Sequence, residues 1–530
     1  MSRRQLLAPL VGLVALVATT PAHASSSFQW GVAAGDVTST SAILWSKTDH
    51  PGAVRFEVAL VPHPHFDLQQ SPKVVASKAR DDTLRAKVSG LKPGTRYYFG
   101  FTDGHDVSPV GTFKTAPAPT STQTIRFGWS GDEDGTPAPG KKTPYWNSLQ
   151  VLGRMAAERN DFNVNLGDTI YSDSEVPGVE GKQQALTVPQ KWAKYDLIVS
   201  QRNAQKFRDS GATYWHWDDH EFINDFSPAE NTFSASGGTK VDIAGSTLYK
   251  RGKQAFLDWM PTGFRNGTGL YRTFRWGKSL EVFMLDERSF RSAKAASACI
   301  NPQSGQPDLA PTAPQRTRDV FAIIVPSLSQ PVSQSCLDTI RNPARTFLGA
   351  AQWAAFTRDL RASTATWKVV MTEMEAKQYY SLPYDRWEGY EAERQRLLNL
   401  LKTVPNTVLL ATDVHANLAV DARLQTLEDP GPVNSGVFEM STGPVATKNF
   451  NQEISDAVNN PAAGNLVVSA FLKPPPPNGI GMDCVASKVF SYGEVTASPT
   501  TLKIQPKDQN GAPVKQDDGT PCGPFTMTAK

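Results

Sequence analysis

The chain reads as an α/β protein in which a small all-β region precedes a larger layered α/β domain. Three features of the sequence lead there. Short alternating strands separated by turns run over residues 28–115, and apolar strands alternating with amphipathic helices follow from residue 125. Between them lies a Pro- and Thr-rich stretch with no pattern that could pack.

The first segment of the chain has the form of an export signal. Arg3-Arg4 precede an uncharged apolar stretch to about residue 18, and Ala22-His23-Ala24 supplies an Ala-x-Ala cleavage site. The paired arginines point to the Tat route, with residues 1–24 removed and a secreted or periplasmic product. A membrane anchor is the weaker alternative, because a spanning helix needs roughly 20 apolar residues. Removing Arg3 and Arg4 from a chain of formal net charge +3 leaves near-neutrality, which favours neither nucleic acid as a stable partner nor integral membrane association.

Residues 25–115 then supply strands near 41–46, 54–61, 84–88 and 97–102, with a Pro93-Gly94 turn ahead of Tyr97-Tyr98. That spacing fits a β-sandwich. Residues 116–124 form the linker, and residues 125–530 the layered domain. Its expected order is strand 125–130, helix 147–159, strand 162–166, strand 280–285, helix 349–362, strand 367–372, helix 390–402 and strand 407–411, with further strands towards the C-terminus. Stretches 301–315 and 473–481 read as surface excursions. The four cysteines, Cys299, Cys336, Cys484 and Cys522, suit two disulfides in an oxidising compartment. Three pairings are open, of which the sequential one is the simplest.

The chemistry is written where strands end. Strand 125–130 runs into Gly131-Asp132-Glu133-Asp134, and strand 162–166 into Gly167-Asp168-Thr169-Ile170-Tyr171. The apolar stretch 213–217 runs into Asp218-Asp219-His220-Glu221 with Asn224-Asp225 behind it, and strand 407–411 into Asp413-Val414-His415. Open α/β sheets place sites at these carboxyl ends. Any one of these motifs also fits an ordinary turn. Together they deliver carboxylates that could not all stay ionised side by side without cations, and two metals about 3.5 to 4 Å apart would clamp a phosphoryl group.

The ordered motifs resemble the alkaline phosphatase D (PhoD) family over nearly the whole mature chain. The resemblance rests on residues 28–45, Gly167-Asp168-Thr169-Ile170-Tyr171, Trp217-Asp218-Asp219-His220-Glu221 with Asn224, and Leu285-Asp286-Glu287-Arg288 with Arg291. It continues through Leu348-Gly349 with Gln352-Trp353, Asp385-Arg386-Trp387-Glu388-Gly389-Tyr390 with Arg394, and Asp413-Val414-His415. It implies a fibronectin III-like sandwich followed by an αββα metallophosphoesterase domain. The implied activity is hydrolysis of small phosphate esters, monoester or diester, by a metal-activated hydroxide or oxide. By the same resemblance Asp168 bridges two metals, Tyr171 and His415 ligate an iron(III), and Asp219, Asn224 and Asp413 surround a calcium. Asp132 stands where the family has a cysteine ligand, so a hard carboxylate replaces a soft thiolate at the first metal; Asp134 is its possible helper. His220 is expected to contact the phosphoryl group and assist the leaving oxygen, with metal ligation as the alternative.

Arg288 and Arg291 could reach phosphate oxygens in a forked geometry, or brace the sheet edge through Asp286 or Asp385. Trp387 and Tyr390 fit either the mouth of the site or core packing. The competing function is an extracellular binding protein with β-sandwich recognition and a structural calcium site. His220 and His415 argue against it, since such a site prefers oxygen ligands.

Overall fold

The computed structural model describes residues 27–62 and 71–530, so the export signal expected at residues 1–24 lies outside the described residues. The N-terminal unit is a sandwich of a three-stranded sheet (Val32–Gly35, Ser41–Lys47, Thr83–Ser89) on a four-stranded one (Lys73–Ala76, Gly52–Ala59, Arg96–Thr102, Gly111–Lys114). Its inward positions alternate along the strands, and Leu44 and Leu84 from one sheet share a buried cluster with Phe56, Phe99 and Phe113 from the other. The sandwich docks on the larger domain through polar as well as apolar contacts. Trp45 Nε1 donates to the Asp258 carbonyl at 2.8 Å and Arg85 Nη1 to that of Leu257 at 2.7 Å.

Residues 116–124 contain no helix or strand but are not loose, contrary to the expectation of a stretch that cannot pack. The Ala116 amide donates to the Thr38 carbonyl and the Lys278 amide to that of Ser121. Backbone groups do the packing here, and they leave no side-chain periodicity to read.

The larger domain is two sheets face to face between layers of helices. One sheet runs Thr213–His216, Phe162–Leu166, Ile125–Ser130, Ser491–Ala497, Thr501–Asp508, Phe525–Thr528; its first three strands are parallel and its last three antiparallel. The other runs Arg272–Trp276, Leu280–Met284, Trp367–Met371, Thr407–Ala411, Phe438–Ser441, Asn417–Asp421, Cys484–Ala486. Phe127, Trp129 and Phe162 meet Met284, Val369, Leu410 and Met440 in the core between the sheets. Outside the first sheet lie the helices Gln150–Glu158, Val188–Val199, Arg202–Ser210 and Gly245–Trp259, packed through Leu152, Tyr195, Phe207 and Phe256. Outside the second, Phe356 and Leu397 from the helices Ala350–Ala362 and Glu391–Lys402 cover Phe283, Val370 and Leu409. This is the αββα layering expected from the sequence.

Disulfides join Cys299 to Cys336 and Cys484 to Cys522, the simplest of the three possible pairings. Stretch 301–315 forms turns, as expected, but it is not merely superficial. Asp308 is buried in a forked pair with Arg318 at 2.6 and 2.8 Å, which folds the stretch back against the protein. Among the described residues no helix is long and apolar enough to cross a membrane.

Candidate metal centre

The carboxyl ends of the parallel strands meet at one edge of the two-sheet stack, where Trp129 Nε1 donates across to the Ala411 carbonyl at 3.1 Å. The chain must turn sharply there to aim side chains inward. Asp132, Asp168, Asp413 and His415 all take left-handed backbone angles, with φ of 68°, 51°, 63° and 53°. Such conformations cost a non-glycine residue about 1 kcal/mol or more and survive only where the surroundings enforce them. Buried Glu221 does this for one turn, accepting from the amides of Asp168 (3.0 Å), Thr169 (2.7 Å) and Asp218 (2.7 Å).

Asp132, Asp168 and His415 each offer a ligand atom within 4.8 Å of the others. Tyr171 Oη lies 3.1 Å from His415 Nε2, so the phenol joins the same group. Glu453 holds the far nitrogen of His415, Nδ1. Both Asp132 oxygens are buried without a hydrogen-bond partner. Gly443 backs them closely: with φ of 113°, a Cβ there would stand 2.7 Å from Asp132 Oδ2. Burial pushes Asp132 up to about 7 and Asp168 well above the usual carboxylate range. Burial opposes the charge on His415, but Glu453 and Asp132 outweigh it and hold the imidazole up to about 10. Protein groups alone therefore do not stabilise these carboxylates as anions, whereas a cation among them would.

Asp168 belongs to a second group as well, with Asp219 and His220. Asp219 in turn groups with Asp218 and Asp413, and with Asp225 and Asp385. Through this carboxylate-rich half runs the buried Arg288 side chain. Its Nε pairs with Asp218 at 2.5 Å and its Nη1 with Asp385 at 2.7 Å, while Nη2 sits 3.4 Å from Asp219 and 3.7 Å from Asp413 without a hydrogen-bond acceptor. Burial, followed by the charges of Asp218 and Asp219, raises Asp413 well above its ordinary value. His220 stacks on Tyr171 with ring centroids 4.0 Å apart, and its Nδ1 lies 2.8 Å from Asp173.

The expected residues thus fall into one neighbourhood with some redistribution of duty. Arg288 braces the site as the alternative reading had it, using Asp218 and Asp385 rather than Asp286. Asn224 is half-buried, and its carboxamide donates to the Ser234 carbonyl at 3.5 Å; the neighbouring Asp225 carboxylate is the group near Asp219. Asp134 accepts from Ser174 and from the Glu175 amide, so it shapes the loop behind the centre. Arg291 pairs with Asp385 at 3.0 Å and lies over Phe347. Trp387 and Tyr390 are core residues rather than a mouth: Trp387 Nε1 donates to Glu287 at 2.8 Å and Tyr390 Oη to the Ser292 carbonyl at 2.6 Å. Glu221 lies in a motif the sequence marks but has no role there, and Asp173 and Glu453 are not marked at all. Asp173 follows Tyr171 closely enough to have been considered, but nothing local marks Glu453 as the partner of His415.

The PhoD-like phosphatase family model matches residues 140–471, and the PhoD-like phosphatase N-terminal domain model matches residues 15–117. Alkaline phosphatase D of Bacillus subtilis (strain 168) is 27% identical over 445 residues, spanning 76% of this chain and 67% of that protein. A solved structure of PhoD superposes with a TM-score of 0.69 at 20% identity, covering 96% of this chain and 90% of the other. A purple acid phosphatase from yellow lupin (Lupinus luteus) seeds superposes with a TM-score of 0.52 at 12% identity, covering 94% and 73%. At such identities the two superpositions speak for the fold. Fold, acidic centre and family matches together define a phosphoric ester hydrolase that binds metal. The chain belongs to the PhoD-like phosphatase family.

Proposed function

We propose that the chain is an exported hydrolase of small phosphate monoesters or diesters that works with two adjacent metal ions. The observation that carries this reading is the double membership of Asp168, which stands in one group with Asp132 and His415 and in another with Asp219 and His220. Asp132, Asp168, Tyr171 and His415 would hold the first ion, and Asp168, Asp219 and Asp413 the second. Asn224 would join the second on releasing its 3.5 Å contact with Ser234. A phenol and an imidazole beside carboxylates suit iron(III), and an all-oxygen set suits calcium. When bound, such a pair withdraws charge from the phosphoryl oxygens and acidifies a water molecule.

The side chains then have separable tasks. The Arg288 guanidinium, fixed by Asp218 and Asp385, presents Nη2 as a spare donor to a phosphoryl oxygen. His220 is oriented by Asp173, and carboxylates on three sides favour its protonated form despite burial. It would give a proton to the leaving alcohol as the ester P–O bond breaks and water oxygen bonds to phosphorus. Export is supported by the two disulfides, which persist in oxidising compartments.

The test is metal content together with activity. Protein matured in its own host should carry about two metal ions per chain, and chelation should abolish hydrolysis of an aryl phosphate and an aryl phosphodiester until metal is restored. Full activity without metal would overturn the proposal. Sequencing of the exported product should begin at Ser25.

A further inference from the structure

Beside the metal centre lies a cavity of about 310 Å³ that the chemistry above does not use. Its lining is largely apolar: Leu309, Ala313 and Phe321 come from the disulfide-closed arm, Ile454, Phe471 and Leu472 from further along the chain, and the Phe321 and Phe471 rings pack edge to face with centroids 5.1 Å apart. Asp413 and Glu453 also line it, and these are respectively a carboxylate of the centre and the partner of His415. Cavity and centre therefore adjoin. The near wall comes from the arm between Cys299 and Cys336, which the disulfide closes and the buried Asp308–Arg318 pair folds inward. Leu382, also in the lining, is 43% exposed, and Ala457 at the end of the helix Phe450–Ala457 is exposed as well. A largely apolar cavity beside a charged centre is suited to a ligand that is charged at one end and apolar at the other.

We infer that this cavity receives the apolar organic substituent of the phosphate ester, so that the preferred substrates are amphiphilic esters carrying an unbranched hydrocarbon chain and presented as single molecules. The inference rests on the phosphoesterase reading of the adjacent centre. The phosphate group is the only strongly charged part of such a substrate, and the centre takes it; the cavity that adjoins the centre is largely hydrocarbon-lined, and a hydrocarbon substituent gains by entering it.

The experiment compares 4-nitrophenyl hexyl phosphate with 4-nitrophenyl methyl phosphate on the metal-loaded enzyme, with both kept below their aggregation limits. Each methylene buried contributes about fourfold, so kcat/KM should be higher for the hexyl ester by at least ~30-fold. In Ala457→Trp, which places an indole in the cavity from an exposed lining position, the hexyl-to-methyl ratio should fall towards one. Phe321→Ala, which removes a large apolar side chain from the lining, should lower the ratio at least ~3-fold. Thermal unfolding of both variants checks that they are folded. A wild-type ratio near one, with both esters hydrolysed, overturns the cavity assignment and leaves the phosphoesterase reading intact. A high ratio unchanged in both variants overturns the location. Hydrolysis of neither ester while 4-nitrophenyl phosphate is turned over would overturn the inference alone, whereas failure on all three compounds would sink the reading on which it rests.

Discussion

The two halves of the metal centre solve the same electrostatic problem in different ways. Around Asp132 both carboxylate oxygens are buried without a hydrogen-bond partner, and the His415 imidazole, 3.8 Å away, is shared with Glu453. Around Asp219 there are more carboxylates, but Arg288 threads among them with three of its nitrogens within 4 Å of four acids. One half is left for a cation to neutralise. The other is partly neutralised by the protein itself, which leaves it organised before any ion arrives. The contrast teaches that burial alone does not mark a metal site. What marks it is burial in which the compensating charge falls short of the acids it faces.

Asp168 is the joint between the halves, so its removal should have the largest effect. Asp168→Ala is expected to lower kcat/KM on an aryl phosphate by roughly 10³-fold or more while leaving the circular dichroism spectrum unchanged; near-normal turnover would break the comparison. Arg288→Met tests whether the guanidinium stands in for a cation. Removing it strands buried acids and should cost about 3–5 kcal/mol in urea unfolding of the metal-free protein, with calcium recovering part of the loss. An unchanged midpoint would mean that the two halves are compensated alike.

Glu453→Gln separates positioning from ligation. With His415 no longer held at Nδ1 by a carboxylate, metal affinity should drop about 10- to 100-fold in isothermal titration. The smallest effect concerns pH. Asp132 has its folded value raised to about 7, so the stability it lends the metal-free fold is present below its ordinary value near 3.8 and is lost as pH rises through 7. An entering ion must displace that proton. The rise in Tm on adding manganese should therefore grow between about pH 5 and about pH 8. A rise independent of pH would place the ion elsewhere.

Much of this arrangement was legible because strand ends are local. An apolar run followed by Gly-Asp is enough to put Asp168 at a sheet edge, and the same logic placed Asp132, Asp219 and Asp413. The partners of those residues were not legible, because they arrive from distant parts of the chain. The sequence offers Asp385 as one of two candidate partners for Arg288, 97 residues away, but not Asp218, and Glu453 reaches His415 from the helix Phe450–Ala457. The short strands Phe438–Ser441 and Asn417–Asp421 were also unread, since four or five buried residues carry no period that separates them from loop. The arm at 301–315 misled for a related reason: its Gly and Pro content describes a turn-rich path truthfully but says nothing of the cavity wall that Leu309 and Ala313 build.

The strand that carries Asp132 to the centre, Ile125–Ser130, is flanked on one side by Phe162–Leu166 and on the other by Ser491–Ala497. Its second neighbour is thus synthesised more than 350 residues after it. A nascent chain halted short of that strand would carry every proposed ligand yet leave the Asp132 strand as a raw sheet edge. Hydrolytic competence should consequently arrive only once the strand Ser491–Ala497 has been made and has paired with the strand that carries Asp132.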